Sequence, residues 1–290
     1  MTRRDRRTRL RRELTDPACL LASLGKFFVG RPVVFLRESA PQSPKWLKRR
    51  LPLLYYHLTL RSLREWIAHV RADAVLVSFP KCGRTWLRTM IDRALLLEYG
   101  HTPLRLQVVH EDDPFWKSPA ELATTKTEYR HKKVLFLTRD AKDTLVSSYF
   151  HKHDRQQLFR GTLADYLDAT AGGLETIVEY ARIWRANAGV PCGFLEVRYE
   201  DLHVDPQQVL GAVLCFLDVP VSAASLADAV EFASFEKMRA RELAERGTDV
   251  PAESLKAREG RVGGHRARLT PEQIAALDAR LASLDAGRRG

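Results

Sequence analysis

Short apolar runs alternate with longer stretches of helical periodicity through the middle of the chain. Ala74 to Phe79 (AVLVSF) is a short apolar run, β-branched at Val75 and Val77 with Ser78 its one hydroxyl, that ends at Pro80, the pattern of a strand buried on both faces of a parallel sheet. Thr85 to Tyr99 then sets Trp86, Leu87, Met90, Ile91, Ala94, Leu95 and Leu97 at helical spacings and stops at Gly100. Val134 to Leu137 repeats the unit, leading through Thr138-Arg139-Asp140 into a helix that carries Leu145, Val146 and Tyr149. A helix-like stretch, Glu175 to Ala188, precedes a strand at Phe194 to Val197, and Leu106 to Val109 is a weaker strand ending at His110. The alternation predicts an α/β fold with a central, mostly parallel sheet flanked by helices. In such sheets ligands bind beyond the carboxyl ends of the strands, here just after Phe79, Val109, Leu137 and Val197.

The 290 residues, 45% hydrophobic and 29% charged, contain no linker-like tract or internal repeat, so one full-sized domain is expected over 73–285. Seven arginines (Arg3, Arg4, Arg6, Arg7, Arg9, Arg11, Arg12) crowd the first twelve residues. Their mutual repulsion predicts a disordered basic tail over 1–17, with peripheral contact to an anionic membrane as the alternative. A helical extension over 18–72 should pack on the domain. Its apolar stretch Ala18 to Gly30 includes Lys26 and is shorter than the roughly 20 residues needed to span a bilayer. No cleavage pattern marks it as a signal peptide. Four scattered cysteines (Cys19, Cys82, Cys192, Cys215) show neither CxxC nor zinc-like spacing, which fits a reduced cytoplasmic protein. The net charge of +11 attracts anionic ligands. No helix-turn-helix, zinc-finger or RNP-like pattern directs that charge to nucleic acid.

Three segments carry candidate chemistry. Pro80-Lys81-Cys82-Gly83-Arg84-Thr85-Trp86 follows the first strand and enters a helix, where unpaired amides, the helix dipole and Lys81 would hold a phosphate. It is not a GxxxxGK[ST] loop. Arg139 to Tyr149 (RDAKDTLVSSY) places an arginine fork at a strand end and Ser147 eight residues later, so that both could grip one phosphate. Arg258 to Arg266 (REGRVGGHR) is a basic, glycine-rich loop ahead of a helix start at Leu269-Thr270-Pro271-Glu272. Each alone also reads as a turn, a solvated charged loop or a surface loop.

In this order they resemble the sulfotransferases that use 3′-phosphoadenosine 5′-phosphosulfate (PAPS). PKCGRTWL is similar to the family's 5′-phosphosulfate loop, usually PKSGTTWL, and RDAKDTLVSSYFHKHDR to its 3′-phosphate motif. RYEDL at 198–202, SFEKM at 234–238 and REGRVGGHRARLTPEQ at 258–273 resemble three further segments, so the likeness runs from Ala74 to Gln273. It implies a P-loop-NTPase-like sulfotransferase fold, PAPS as co-substrate, 3′,5′-adenosine bisphosphate (PAP) as product and no metal. Lys81 would neutralise the departing phosphate, with Cys82, Gly83, Arg84, Thr85 and Trp86 completing the loop and Trp86 near the adenine. Arg139 and Ser147 would hold the 3′-phosphate, Arg258 and Gly260 would cover it, and Phe235 and Tyr199 would pack at the base. Lys81, His110 and Ser147 form the implied catalytic set, His110 as general base, with Glu111 or Asp112 as alternatives.

The chain departs from the family pattern at Cys82 for serine, Arg84 for threonine, Glu259 for lysine and His265 for tryptophan. Glu259 would repel a phosphate if it pointed inward, and Cys82 at a helix start is a candidate for a lowered thiol pKa. Two rival readings stand beside sulfuryl transfer. One is a P-loop kinase or phosphotransferase, which the missing Walker pattern and the absence of a metal-binding Asp after VLFLT oppose. The other is a donor-binding protein without turnover. The acceptor, a hydroxyl or amine of a small molecule, glycan or lipid, would meet the loops 104–129, 153–170 and 239–257 and the N-terminal segment. The run Leu51 to Leu60 reads first as core packing and second as a wall of that pocket. No C-terminal dimer signature is visible, so the sequence leaves the oligomeric state open.

Overall fold

The computed structural model describes residues 3–26, 61–111, 113–247, 250–256 and 258–286. The run Leu51 to Leu60 and Asp112 lie outside them. Helices α1 (Arg3–Thr15), α2 (Pro17–Leu24) and α3 (Arg61–Arg71) lead into β1 (Ala74–Ser78). Then follow α4 (Arg84–Tyr99), β2 (Leu106–Val109), β3 (Lys133–Thr138), α5 (Ala141–Phe150), α6 (Leu163–Leu167), α7 (Leu174–Ala186) and β4 (Gly193–Arg198). The chain continues through α8 (Tyr199–Val204), α9 (Pro206–Phe216), α10 (Ala223–Phe232), α11 (Phe235–Arg246) and α12 (Pro271–Ala286).

The four strands among the described residues are parallel, in the order β2-β1-β3-β4, with Val75 opposite Gln107 and Val134, and Val134 opposite Phe194. The β1 run is so apolar because β1 has a strand on each edge and lies in the core, where every residue of it, Ser78 included, is buried. β2 is an edge strand and only half-buried, which is why its sequence signal is the weakest of the four. α4 packs against α9 and α10, and α5 against α7. Trp184 of α7 stacks on Phe136 of β3 at 5.8 Å and closes the core on that face.

The first residues are helical and docked, in place of the disordered tail expected from their charge. Arg9 and Glu13 lie one turn apart on α1. Glu13 meets the fully buried ammonium of Lys132 at 2.7 Å, and Arg9 meets Asp73 at 3.2 Å. A buried lysine needs a counter-ion, and here the only one it bonds among the described residues comes from α1, which ties the helix to the start of β3. Arg9 is thus neutralised by Glu13 and Asp73 where α1 meets the domain. No described helix is long and apolar enough to cross a membrane.

Candidate active site

β1 ends at Ser78, and the chain turns through Pro80 to Gly83 into α4. Two residues of the turn lie in the left-handed region, Lys81 at φ 75° and Gly83 at φ 93°. Only the second position is filled by a residue that adopts it freely, so backbone strain is held at Lys81, at the centre of the loop. A Cβ on Gly83 would stand 2.5 Å from the Tyr199 ring, so the glycine also lets α8 close over the loop. Tyr199, Trp86 and His203 form an aromatic cluster there, with Trp86 edge-on to Tyr199 at 5.8 Å.

Arg139, at the end of β3, locks onto this loop. Its guanidinium lies 4.3 Å from the Tyr199 ring centre, donates to the Lys81 carbonyl at 3.2 Å and to the Arg261 carbonyl at 3.1 Å, and leaves its Nε buried without a partner. Lys81, Ser147 and Arg258, from three separate segments, line one cleft together with Phe150, His151, Arg155 and Glu253. Burial and the neighbouring Arg155, Arg139 and Arg258 push the Lys81 ammonium down to about 7. So many cations around one lysine make the cleft a receptor for a polyanion.

The covering loop is built differently from the expectation. Glu259 does not face a phosphate bare: Arg258 and Arg268 reach it at 2.8 Å and Arg261 at 3.2 Å. Arg258, also held by Glu253 at 3.2 Å, lies 3.9 Å above the Phe150 ring. A Cβ on Gly260 would be 2.2 Å from the Phe235 ring, so Phe235 and Gly260 make a contact pair of their own. His265 replaces an aromatic packing residue with a hydrogen-bonded latch, its Nδ1 2.7 Å from Asp143 of α5. The amides of Gly263 and His265 donate to the same carboxylate at 2.7 and 2.9 Å. With Asp140, these two residues are a grouping of metal-ligand type among the described residues, but the Asp143 oxygens already serve the loop.

Cys82 is buried with its sulfur 3.9 Å from the Thr144 hydroxyl, and burial pushes its thiol up to about 12. The lowered pKa considered from its place at a helix start is thereby reversed, because desolvation of the thiolate outweighs the dipole and the nearby arginines. Thr85 is exposed on the first turn of α4.

His110 stands just past β2, its Nδ1 3.3 Å from the Ser78 carbonyl and its Nε2 2.6 Å from Nη2 of Arg84. A guanidinium only donates, so Nε2 accepts and the ring proton sits on Nδ1. Burial, Arg84, His151 and Lys81 push His110 down to about 3, against the Ser78 hydrogen bond, which keeps the ring neutral. Glu111 is a poor rival base. It is buried between Lys126 at 2.9 Å and Lys26 at 3.3 Å, which overcome its desolvation and hold it well below the usual carboxylate range.

His151 was missed as a site residue. It lines the cleft, its Nδ1 is buried without a partner, and burial with Lys81, Arg155 and Lys256 pushes it down to about 3. Its signal was its spacing: four residues after Ser147, it lies on the same helical face.

The sulfotransferase domain model matches residues 108–284. Cytosolic sulfotransferase 17 of Arabidopsis thaliana is 25% identical, over 82% of this chain and 84% of its own. Flavonol 3-sulfotransferase of Flaveria bidentis is 23% identical over 71% and 79%. Among solved structures, mouse sulfotransferase SULT7A1 complexed with PAP is similar with a TM-score of 0.54 at 23% identity, covering 72% of this chain and 81% of that one. Retinol dehydratase in complex with androsterone and PAP gives 0.58 at 15% identity, over 73% and 80%.

The chain belongs to the sulfotransferase domain family, with its P-loop-NTPase-like fold. It is a PAPS-dependent sulfotransferase, a class that needs no metal ion, and the kinase reading is set aside.

Proposed function

We propose that this enzyme moves the sulfuryl group of PAPS in line onto a hydroxyl of a small acceptor, with His110 taking the acceptor's proton. The observation that carries the reading is the convergence of Lys81, Ser147 and Arg258 on one cleft, with Arg139 bonded to the backbone of the Lys81 loop. Loop amides and Lys81 hold the 5′-phosphosulfate and neutralise the charge that develops as the S–O bond breaks. Arg139, Ser147 and Arg258 hold the 3′-phosphate. Trp86, Tyr199 and Phe235 flank the adenine. A neutral His110 with its lone pair on Nε2 has the tautomer that general-base work requires.

The acceptor side favours a compact apolar or aromatic alcohol. Phe79, Phe115 and His151 stand ring against ring beside the cleft, at 6.0 and 5.6 Å, and leave polar capture of the acceptor to His110 and His151. The androsterone bound to the retinol dehydratase named above is an alcohol of this kind. The catalytic unit runs over 73–285, with the N-terminal helices packed on it. A cytoplasmic location is in keeping with the cytosolic relatives.

Calorimetric titration with PAP in metal-free buffer, with ATP as control, tests the donor site. Binding that is lost in Arg139→Ala supports it, and preference for ATP sinks it. Radiolabelled PAPS with a panel of phenols and sterols tests the acceptor. His110→Gln should abolish turnover of any acceptor found while PAP binding persists, and unchanged turnover removes His110 as base.

A further inference from the structure

The fork of Arg84 stands on the one nitrogen that the proposed mechanism needs free. Arg84 is the first residue of α4, so its backbone belongs to the phosphate loop while its side chain reaches Nε2 of His110 at 2.6 Å. It thus spans from the group that would hold the departing phosphate to the group that would take the acceptor's proton. In an in-line displacement the sulfur lies between those two points.

The guanidinium is also incompletely satisfied. Its Nη1 is buried and without a hydrogen-bond partner, and among the described residues no carboxylate pairs with it. Burial pushes Arg84 down to about 10, with only the more distant Tyr180, Cys82 and Asp113 favouring its charge and Arg88 opposing it. A buried cation with one nitrogen idle and the other on a neutral imidazole is poised for an anion with two acceptor oxygens. The groups facing His110 are cationic or neutral: Arg84, Lys81, His151 and the Ser78 carbonyl.

We propose that Arg84 is a clamp for the transferring sulfuryl group, which rests on His110 in the free enzyme and moves to the sulfuryl oxygens when PAPS is loaded. The proposal rests on the reading of His110 as base. Once Arg84 has moved, Nη1 and Nη2 each gain an anionic oxygen, and the Nε2 lone pair is released only when a sulfuryl group is present to be transferred. In the step itself the acceptor oxygen forms the new S–O bond, and the bond from sulfur to the 5′-phosphate oxygen breaks. Its electron pair leaves on the phosphate beside Lys81, and the acceptor's proton passes to Nε2. Arg84 keeps its protons throughout and is a catalytic residue because it touches the reacting group.

PAP lacks the sulfuryl group and provides the control. The experiment is calorimetry of the full chain with PAP and with PAPS, for the wild type, Arg84→Gln and Arg84→Lys, together with ¹⁵N-imidazole spectra. PAP affinity should stay within about twofold in Arg84→Gln, which also shows that the variant is folded, while the ratio Kd(PAPS)/Kd(PAP) rises by about tenfold or more. By restoring charge without the fork, Arg84→Lys should recover only part of that ratio. In the wild type the His110 Nε2 resonance should move with PAPS and not with PAP. Parallel loss of PAP and PAPS affinity would make Arg84 an ordinary phosphate ligand, and an unchanged ratio would deny it any contact with the sulfuryl group. Either overturns the proposal, as does a His110 shift of equal size with PAP. If His110→Gln retained turnover, the base reading alone would fall, because the affinity ratio reports on Arg84 independently.

Discussion

Asp143 on the first turn of α5 holds His265, 122 residues later, through an imidazole contact of 2.7 Å, and takes the amides of Gly263 and His265 as well. One carboxylate thereby fastens the covering loop to the helix that carries Ser147. Asp143→Asn removes the charge that makes these bonds strong, and charge-assisted hydrogen bonds are worth about 1.5–3 kcal/mol each. PAP affinity should fall by about tenfold or more with little change in the affinity for inorganic sulfate. Equal PAP affinity, measured by calorimetry, would show that the latch does not shape the donor site.

With Lys81 holding the donor as proposed, donor binding is a proton-linked event. Its free-enzyme pKa of about 7 means that the ammonium is largely deprotonated at pH 8, whereas a bound polyanion requires it charged. Binding should therefore take up close to one proton at pH 8, and affinity should weaken as pH rises above 7. Titrations in buffers of different ionisation enthalpy read the uptake directly. In Lys81→Met the uptake should vanish, and persistence of it would place the titrating group elsewhere.

Gly83 and Gly100 share the left-handed conformation but not the surroundings. An alanine at 100 meets open space, so Gly100→Ala should cost about 1 kcal/mol of stability and leave the donor site alone. An alanine at 83 meets Tyr199 at 2.5 Å, so Gly83→Ala should also displace the aromatic ring and lower PAP affinity by about tenfold or more. Paired thermal melts and titrations separate the two, and equal behaviour would remove Tyr199 from the donor site.

Glu13→Gln tests the docking of α1. It leaves the Lys132 ammonium buried without its anion, and breaking such a pair costs about 3–5 kcal/mol. Chemical denaturation should show that loss, and Glu13→Gln with Lys132→Met should recover most of it. A change below about 0.5 kcal/mol would mean that α1 does not rest on the domain.

His69 predicts acid sensitivity. Buried, with its Nε2 donating to the Glu128 carbonyl and its Nδ1 3.1 Å from the Gln107 side-chain amide, it is held well below its ordinary pKa by burial, then by Lys132 and Lys26. The unfolded chain binds the proton that the folded one refuses, so this contribution is intact above about pH 6.5 and is lost as pH falls below it. The slope is about 1.4 kcal/mol per pH unit for one such group. Stability curves at pH 7 and 5 should differ less in His69→Gln than in the wild type.

The four strands, the helices after β1 and β3 and the phosphate-loop position were legible in the linear pattern, because periodicity and strand-end placement are local properties. Ordered motifs that resemble a family also named Lys81, Ser147 and Arg258, which line one cleft, and Arg139, which bonds the Lys81 carbonyl, while their role toward a donor stays a proposal. The direction of each side chain was not legible. Cys82 looked activated from its helix start and is instead sealed against Thr144; Glu259 looked repulsive and is instead saturated by three arginines; the arginine-rich start looked disordered and is instead anchored by a lysine 119 positions away from Glu13. In each case the outcome depends on which charge or surface lies opposite in space, and desolvation and Coulomb energies are set by that neighbour rather than by the residue's own type. The sequence by itself determined the α/β architecture and the class of chemistry. Only the tertiary structure decided that Arg84 meets His110, because the first residue of α4 and the residue just past β2, 26 positions apart, become partners through the parallel pairing of β1 with β2.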